Sequence, residues 1–416
     1  MERLVPQALL TDSRTRTKLA SNVGQNNQLS EDCVMEEVVE QAGTKVWERV
    51  APAAFAAKLA RENVVSADGQ RALVAANIGS EEELLALIAS FPSLATEGLL
   101  NFPKLTARGG AAESARALGA STVADYIERK APPVTLGAAP PAADVPFKAA
   151  GERIELDAPA KTAALDNESG EVIDTRYCDP WPVRDQNPRG TCVSFAMSAC
   201  AEPYFAGDGP CPDLAEQYLY WAIKRLPDSW PNDDGTTLDF ARRALQQDGI
   251  CLEDFHPYQH YEVPGDPGHI GVFPPSAAAL ADAAARRRAP GFYQPGGGAS
   301  VVLGQLRMGR PVAVTLPVFK DPMSGMNNWG TPLSWSHGVV LDPPPTSVRD
   351  GGHAVCITGF VASAAEPSGG YFVLRNSWGP AWGHSLPAAG YYGPAQGYGH
   401  ISATYVDRFL WECCQM

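Results

Sequence analysis

Apolar positions in the first third of the chain fall at helical spacings. Val34, Val38, Val39, Val46, Val50, Phe55 and Leu59 recur mostly every three to five residues, which predicts helix from Glu31 to Tyr126. Ser80 followed by Glu81, Glu82 and Glu83, and then by Leu84, Leu85, Leu87 and Ile88, marks an N-cap, an acidic first turn and an apolar face. Pro92, Pro103 and Gly109-Gly110 cut the later part into short helices. From Ala131 to Ala150 the pattern gives way to Pro, Ala and Gly, the composition of a linker or an extended segment.

Beyond Asp174 the periodicity changes twice. Helices are predicted from Cys192 to about Glu202, where Pro203 ends the run, from Glu216 to Arg225, and from Leu238 to Gln247. Strand-like apolar runs then occupy Pro311 to Val318, Val355 to Phe360, Tyr371 to Arg375 and Gly397 to Tyr405. The stretches Pro264 to Pro275, Pro290 to Ser300 and Pro380 to Gly399 are rich in breakers and read as loops, and Arg286-Arg287-Arg288 closes an Ala-rich helix as a solvated face. Helices followed by strands make the fold class α+β. The expected domains are a flexible N-terminus at 1–30, a small α-helical domain at 31–130, a linker or extended segment at 131–173 and a larger mixed region at 174–416.

Composition narrows the partners. At 416 residues with a net charge of -14, the chain is expected to fold as two domains and to avoid nucleic acid and anionic membranes, which reward clustered Lys and Arg. No run approaches the ~20 apolar residues of a membrane span. Met1 to Ser21 mixes charges with a short apolar run, unlike a secretory signal, so the expectation is a cytoplasmic protein, with export by a route that ignores signal peptides left open. The nine cysteines show neither CxxC pairs nor a dense disulfide framework, and are expected to be mostly reduced. His256 and His260 lie four apart with Pro257 between them and no cysteine pair nearby, so no metal or cofactor is predicted.

Candidate chemistry begins at Gln186 to Ala196. Pro188, Arg189 and Gly190 form a loop, so Cys192 stands where that loop becomes a helix, and there the helix dipole and unpaired N–H groups favour a thiolate. A thiolate nucleophile needs an imidazole as base, and the imidazole needs a third group to hold it. His353 leads the strand-like run Gly351 to Phe360, and Asn376 ends the run Tyr371 to Arg375. His337 is the rival imidazole, but it leads into Pro343-Pro344-Pro345 and is expected in a loop.

These motifs resemble the papain family of cysteine peptidases. Gln186 with Gly-Thr-Cys-Val-Ser-Phe-Ala, His353-Ala354-Val355 and Asn376-Ser377-Trp378-Gly379 occur in the family's order. Minor matches lie at Leu214 to Gln217, Gly235 to Thr237, Pro257-Tyr258 and Gly309 to Val314, and the resemblance covers roughly Asp174 to Trp411. It implies a two-lobe fold with a helical left lobe and an antiparallel, barrel-like right lobe. It also implies Cys192 as nucleophile, His353 as base and then acid, Asn376 as its orienter, and Gln186 as an oxyanion donor worth roughly 3 kcal/mol. Trp378 would shield the His353–Asn376 bond, and Gly235, Thr236, Leu238, Gly352 and Trp378 would line the substrate, an apolar preference falling to Leu238.

The sequence also departs from the family. Val193 stands where the family has Trp, Arg189 replaces a half-cystine, and Thr236 replaces a second Gly; the stretch Asp234 to Leu245 looks more like bacterial and archaeal members. The leading expectation is a cysteine peptidase acting on protein or peptide substrates through a thioester. A deamidase or transglutaminase-like effector using the same three residues, and an inactive peptidase-fold binding module, are the alternatives. The helical N-terminal region is expected either to inhibit in cis, as a propeptide whose extended tail lies backwards through the cleft, or to recruit a partner protein. The family's spaced propeptide helix motif is absent from it.

Overall fold

The computed structural model describes residues 49–129, 136–140, 165, 170–176, 182–207, 209–231, 234–259, 274–383 and 396–416. Residues 31–48 of the helical stretch expected from Glu31 to Tyr126, His260, and all but the last two residues of the expected loop from Pro264 to Pro275 lie outside them. Residues 45–416 form one compact unit.

Its first part is helical: α1 (Pro52–Arg61), α2 (Ala67–Ala75), α3 (Glu81–Ser90), α4 (Ser93–Thr96), α5 (Phe102–Thr106), α6 (Gly109–Ala117) and α7 (Val123–Ile127). The Ser80 hydroxyl accepts the Glu83 N–H and starts α3, as its sequence signature requires. Helix α3 is buried almost all round, because Leu84, Leu85, Leu87 and Ile88 pack inward while Glu82 and Glu83 are covered as well. This helical core extends to Leu333 and Leu341 of the catalytic region. Polar contacts join the two parts: Ser93 Oγ meets Thr346 Oγ1 at 2.8 Å and bonds Asp321, and Asn77 Nδ2 donates to Glu366 at 2.8 Å.

The helical lobe of the catalytic region is built on α8 (Cys192–Ala206), α9 (Glu216–Lys224) and α10 (Leu238–Gln247). Helix α8 runs through Pro203, where a stop was expected, and ends before Gly207 at φ 52°. Proline forfeits one N–H and one turn of bonding, a loss that a helix buried along most of its length tolerates. Two more short helices, α11 (Ala277–Ala284) and α12 (Ala299–Leu306), precede the sheet's central strands.

The second lobe is a wholly antiparallel sheet ordered β2 (Phe292–Pro295), β7 (Glu412–Gln415), β3 (Val312–Lys320), β4 (Val348–Ala362), β5 (Gly370–Arg375) and β6 (Tyr398–Ser402), with β1 (Val172–Asp174) on the far half of β4. The path is open, without closure into a barrel. Three local expectations are corrected. The expected strand Gly397 to Tyr405 ends at Ser402, whose hydroxyl accepts the Tyr405 N–H and starts helix α14 (Ala403–Phe409). The segment Pro290 to Ser300, expected as loop, contains β2, paired with β7 and carrying half-buried Phe292 and Tyr293. His337 ends a short helix, α13 (Pro332–His337), rather than lying in a loop. No helix among the described residues is long and apolar enough to cross a membrane.

Candidate active site

Cys192 is the first residue of α8 and wholly buried where the two lobes meet. Thr191 gives α8 no side-chain cap; its hydroxyl is instead engaged with that of Tyr258 at 2.7 Å, and the backbone N–H of Val193 is directed at the Cys192 sulfur. The N–H of Ala354, the residue after His353, reaches the same sulfur, so the start of α8 meets β4 next to His353.

His353 Nε2 and Asn376 Oδ1 are 2.7 Å apart. Asn376 Oδ1 also accepts the Ser377 backbone N–H at 2.8 Å, which identifies it as the oxygen. Nε2 must then carry the proton, and the lone pair lies on Nδ1, which has no hydrogen-bond partner. The imidazole is held between aromatic rings: Trp378 stacks on it at 4.5 Å and Trp329 meets it edge-on at 5.3 Å. Trp329 is itself fixed by a 3.1 Å bond to the hydroxyl of Tyr405. Nothing in the sequence pattern singled out Trp329.

Gln186 is lashed to the Asn376 loop. Its Oε1 accepts the Ser377 hydroxyl at 2.6 Å, its backbone N–H donates to the Ser377 carbonyl at 2.8 Å, and its Nε2 donates to the Arg189 carbonyl at 2.7 Å. Ser377 thus couples the oxyanion candidate to the imidazole's orienter, a role visible in the Asn-Ser-Trp-Gly motif only once the two loops are seen side by side. Arg189, at the missing half-cystine, is buried and clamped instead between the rings of Tyr220 and Tyr258, with Gln217 and the Gln259 carbonyl accepting from it at 2.7 Å. His337 Nδ1 contacts Ser336 Oγ at 2.7 Å, and the imidazole bonded to Asn376 is that of His353. Among the described residues no group of His, Cys, Asp or Glu is arranged to hold a metal ion.

A stretch of the chain's own backbone, residues 136–140, lies across this constellation. The Thr236 N–H donates to the Gly137 carbonyl at 2.9 Å, the Ala139 N–H to the Thr236 carbonyl at 2.8 Å, and the Ala138 N–H to the Gly352 carbonyl at 3.0 Å. The Ala138–Thr236 bridge is parallel. Gly235, at φ 84°, and Gly352 let this backbone approach: a Cβ on either would fall within 2.6 Å of a carbonyl oxygen of the segment. Three of the five residues read as lining the substrate are therefore in contact with residues 137–139. Trp378 stands over the imidazole, and Leu238 is buried in the helical lobe's core.

Covering changes the electrostatics. Burial pushes the Cys192 thiol up to about 12, outweighing the backbone N–H groups of Ala354, Gly137 and Val193 that favour the thiolate. Burial likewise pulls His353 down to about 4, against the opposing pull of its bond to Asn376. The helix start was expected to lower the thiol's pKa. In the covered site the loss of water dominates, and both groups are neutral.

A model of the papain family of cysteine proteases matches residues 170–400, more than half of the chain. A cathepsin L-like peptidase of Aedes aegypti is 26% identical over 205 residues, which are 49% of this chain and 52% of that protein. Procathepsin L of Rattus norvegicus is 24% identical over 215 residues, 49% of this chain and 54% of that one, so the chain spans about half the length of these relatives. Among solved structures, xylellain, a cysteine protease from Xylella fastidiosa, is 18% identical with a TM-score of 0.47, over 69% of this chain and 98% of the other. By the family match over residues 170–400, this chain belongs to the papain family of cysteine proteases.

Proposed function

We propose that this protein is a cysteine peptidase held latent by its own residues 136–140. The observation that carries the reading is an imidazole hung from Asn376 through Nε2, with the Nδ1 lone pair unpartnered and the next residue's N–H on the Cys192 sulfur. Once uncovered, His353 Nδ1 takes the thiol proton and the thiolate attacks the carbonyl carbon of a peptide bond. The oxyanion is met by the Cys192 N–H and the Gln186 carboxamide. His353 then returns its proton to the leaving amine, and water, deprotonated by the same nitrogen, hydrolyses the thioester.

Latency is supported by the covering segment. It uses the carbonyl of Gly352 and both backbone groups of Thr236 that an extended peptide substrate would use, and its parallel pairing with Thr236 runs one way along that edge. A substrate running the opposite way pairs antiparallel there and presents its scissile carbonyl to Cys192, whereas the segment presents the N–H of Gly137. The segment therefore occupies the cleft without offering a cleavable carbonyl to the sulfur.

The test is labelling by an epoxide-type cysteine inhibitor together with peptide hydrolysis. Wild-type protein whose chain has been cut between Ala131 and Asp174 is expected to be labelled at Cys192 and to cleave peptides, and the Cys192→Ala protein to do neither. Cut protein that stays unlabelled at neutral pH would overturn the peptidase reading. Uncut protein as active as the cut form would overturn latency alone.

A further inference from the structure

Two thiols outside the catalytic constellation meet in the core. The sulfurs of Cys200 and Cys356 are 3.3 Å apart, and both residues are buried. Cys200 lies on α8, about two turns beyond Cys192, and Cys356 lies on β4, three residues beyond His353. The pair therefore spans the contact between the helix carrying the nucleophile and the strand carrying the imidazole. Both residues belong to the core cluster that also holds Val193, Met197 and Ala313.

We propose that Cys200 and Cys356 are an oxidation site, forming a cystine that joins the two lobes behind the active site. A disulfide holds its sulfurs at about 2.05 Å, so closing the present gap takes a shift of about 1.2 Å, within the reach of side-chain rotation and a small adjustment of α8 against β4. The other nearby thiol, Cys414, is a poorer partner for Cys356. Cys414 pairs with Ala313 on β3, and Ala313 pairs with Cys356, so Cys414 stands two strands from Cys356, roughly 10 Å away. Cys413, the next residue, packs into the opposite face's core.

The oxidant is a small disulfide of the oxidised-glutathione class. One protein thiolate attacks the disulfide, releasing a small thiol and leaving a mixed disulfide. The second protein thiolate attacks the protein sulfur of that intermediate and expels the second small thiol. Two S–H bonds and one S–S bond break, one protein S–S bond and two small-molecule S–H bonds form, and two electrons pass to the oxidant. Burial and the neighbouring thiols raise the Cys200 pKa well above its usual value, so the folded pair exchanges slowly. Cys356 borders a small cavity shared with Thr175, Arg176, Glu202, Pro203 and Arg375.

This inference does not depend on peptidase activity, so its test uses the full-length Cys192→Ala protein, which removes the reactive thiol. The protein is equilibrated across a series of oxidised-to-reduced glutathione ratios, denatured in iodoacetamide and mapped without reduction. The expected result is one cross-linked peptide pair joining Cys200 to Cys356, two hydrogens lighter than its separate parts. A melting temperature higher by roughly 5 °C in the oxidised form is expected, abolished by Cys200→Ala and by Cys356→Ala. Alkylation of both cysteines at the most oxidising ratio would overturn the proposal, as would a map joining either one to Cys414. The peptide map stands even if the alanine variants fold poorly.

Discussion

The ring of Trp378 stacks on the imidazole of His353, centroid to centroid at 4.5 Å and 27° from parallel, and the same imidazole is bonded to Asn376 at 2.7 Å. The hydrogen bond to Asn376 sets the imidazole's tautomer. The proton on Nε2 is committed to Asn376, and the lone pair on Nδ1 is left without a hydrogen-bond partner.

Asn376→Ala removes the acceptor that fixes this tautomer. The expected outcome is a loss of about 10²-fold in kcat/KM of the uncovered enzyme with KM little changed, since general-base catalysis of this kind contributes at least that much. Trp378→Ala should lose less in rate, and steady-state kinetics on a peptide substrate checks both.

Gly137→Ala should release the cleft. A Cβ at this position would lie 2.3 Å from the Gly190 carbonyl carbon and oxygen, closer than any real contact, and backbone on both sides leaves no flexible atom to yield. The variant's intact chain is expected to be labelled by the epoxide inhibitor faster than wild type, by tenfold or more if the displaced contact costs about 1.4 kcal/mol. Equal labelling rates for the two intact chains would show that the segment is not the barrier.

Acid should favour uncovering. In the covered state His353 titrates near 4, below the ordinary 6.5, so the open state binds more protons as pH falls from about 6.5 toward 4, and the covered state loses stability over that window. At the other end, the covered Cys192 titrates near 12 against an ordinary 9.0, so raising the pH above about 9 also favours the open state. In the Cys192→Ala protein the alkaline limb should vanish and the acid limb remain. Hydrogen exchange at the amides of Ala138 and Ala139, corrected for intrinsic rates, is the measurement.

Arg49 anchors the helical region to the second lobe. It pairs with Glu83 at 2.8 Å and with Glu366 at 2.5 Å and donates to the Asn77 carbonyl, while burial pushes Glu366 up to about 7. Arg49→Met leaves two buried carboxyl groups without their cation. Urea unfolding should show a loss of about 3 kcal/mol at pH 8, shrinking at pH 5, where Glu366 takes up a proton and its burial no longer strands a charge.

Local signals predicted local structure well. Ser80 before three glutamates starts α3, Thr237 caps α10 over the expected Leu238–Gln247, and alternating and continuous apolar runs become β3, β4 and β5. The misplaced boundaries have different causes. Pro203 sits inside α8 because burial of that helix outweighs one residue's preference, and the strand-like run ends at Ser402 because its hydroxyl caps α14. Strand β2 was hidden because four residues among prolines and glycines become a strand only by pairing with β7, more than a hundred positions later.

What the sequence determined by itself is the set of chemical groups and their order: a cysteine at a helix start, a histidine in one strand, and an asparagine just after the next. Side-chain chemistry and hydrophobic period are properties of short stretches. Only the tertiary structure decided that Trp329 braces the imidazole, that Ser377 ties Gln186 to Asn376, that the thiols of Cys200 and Cys356 touch, and that residues 136–140 cross the cleft. These are contacts between residues far apart along the chain. The same burial that makes them also keeps the Cys192 thiol and the His353 imidazole neutral, because desolvation depends on everything packed around a group and not on its neighbours in sequence.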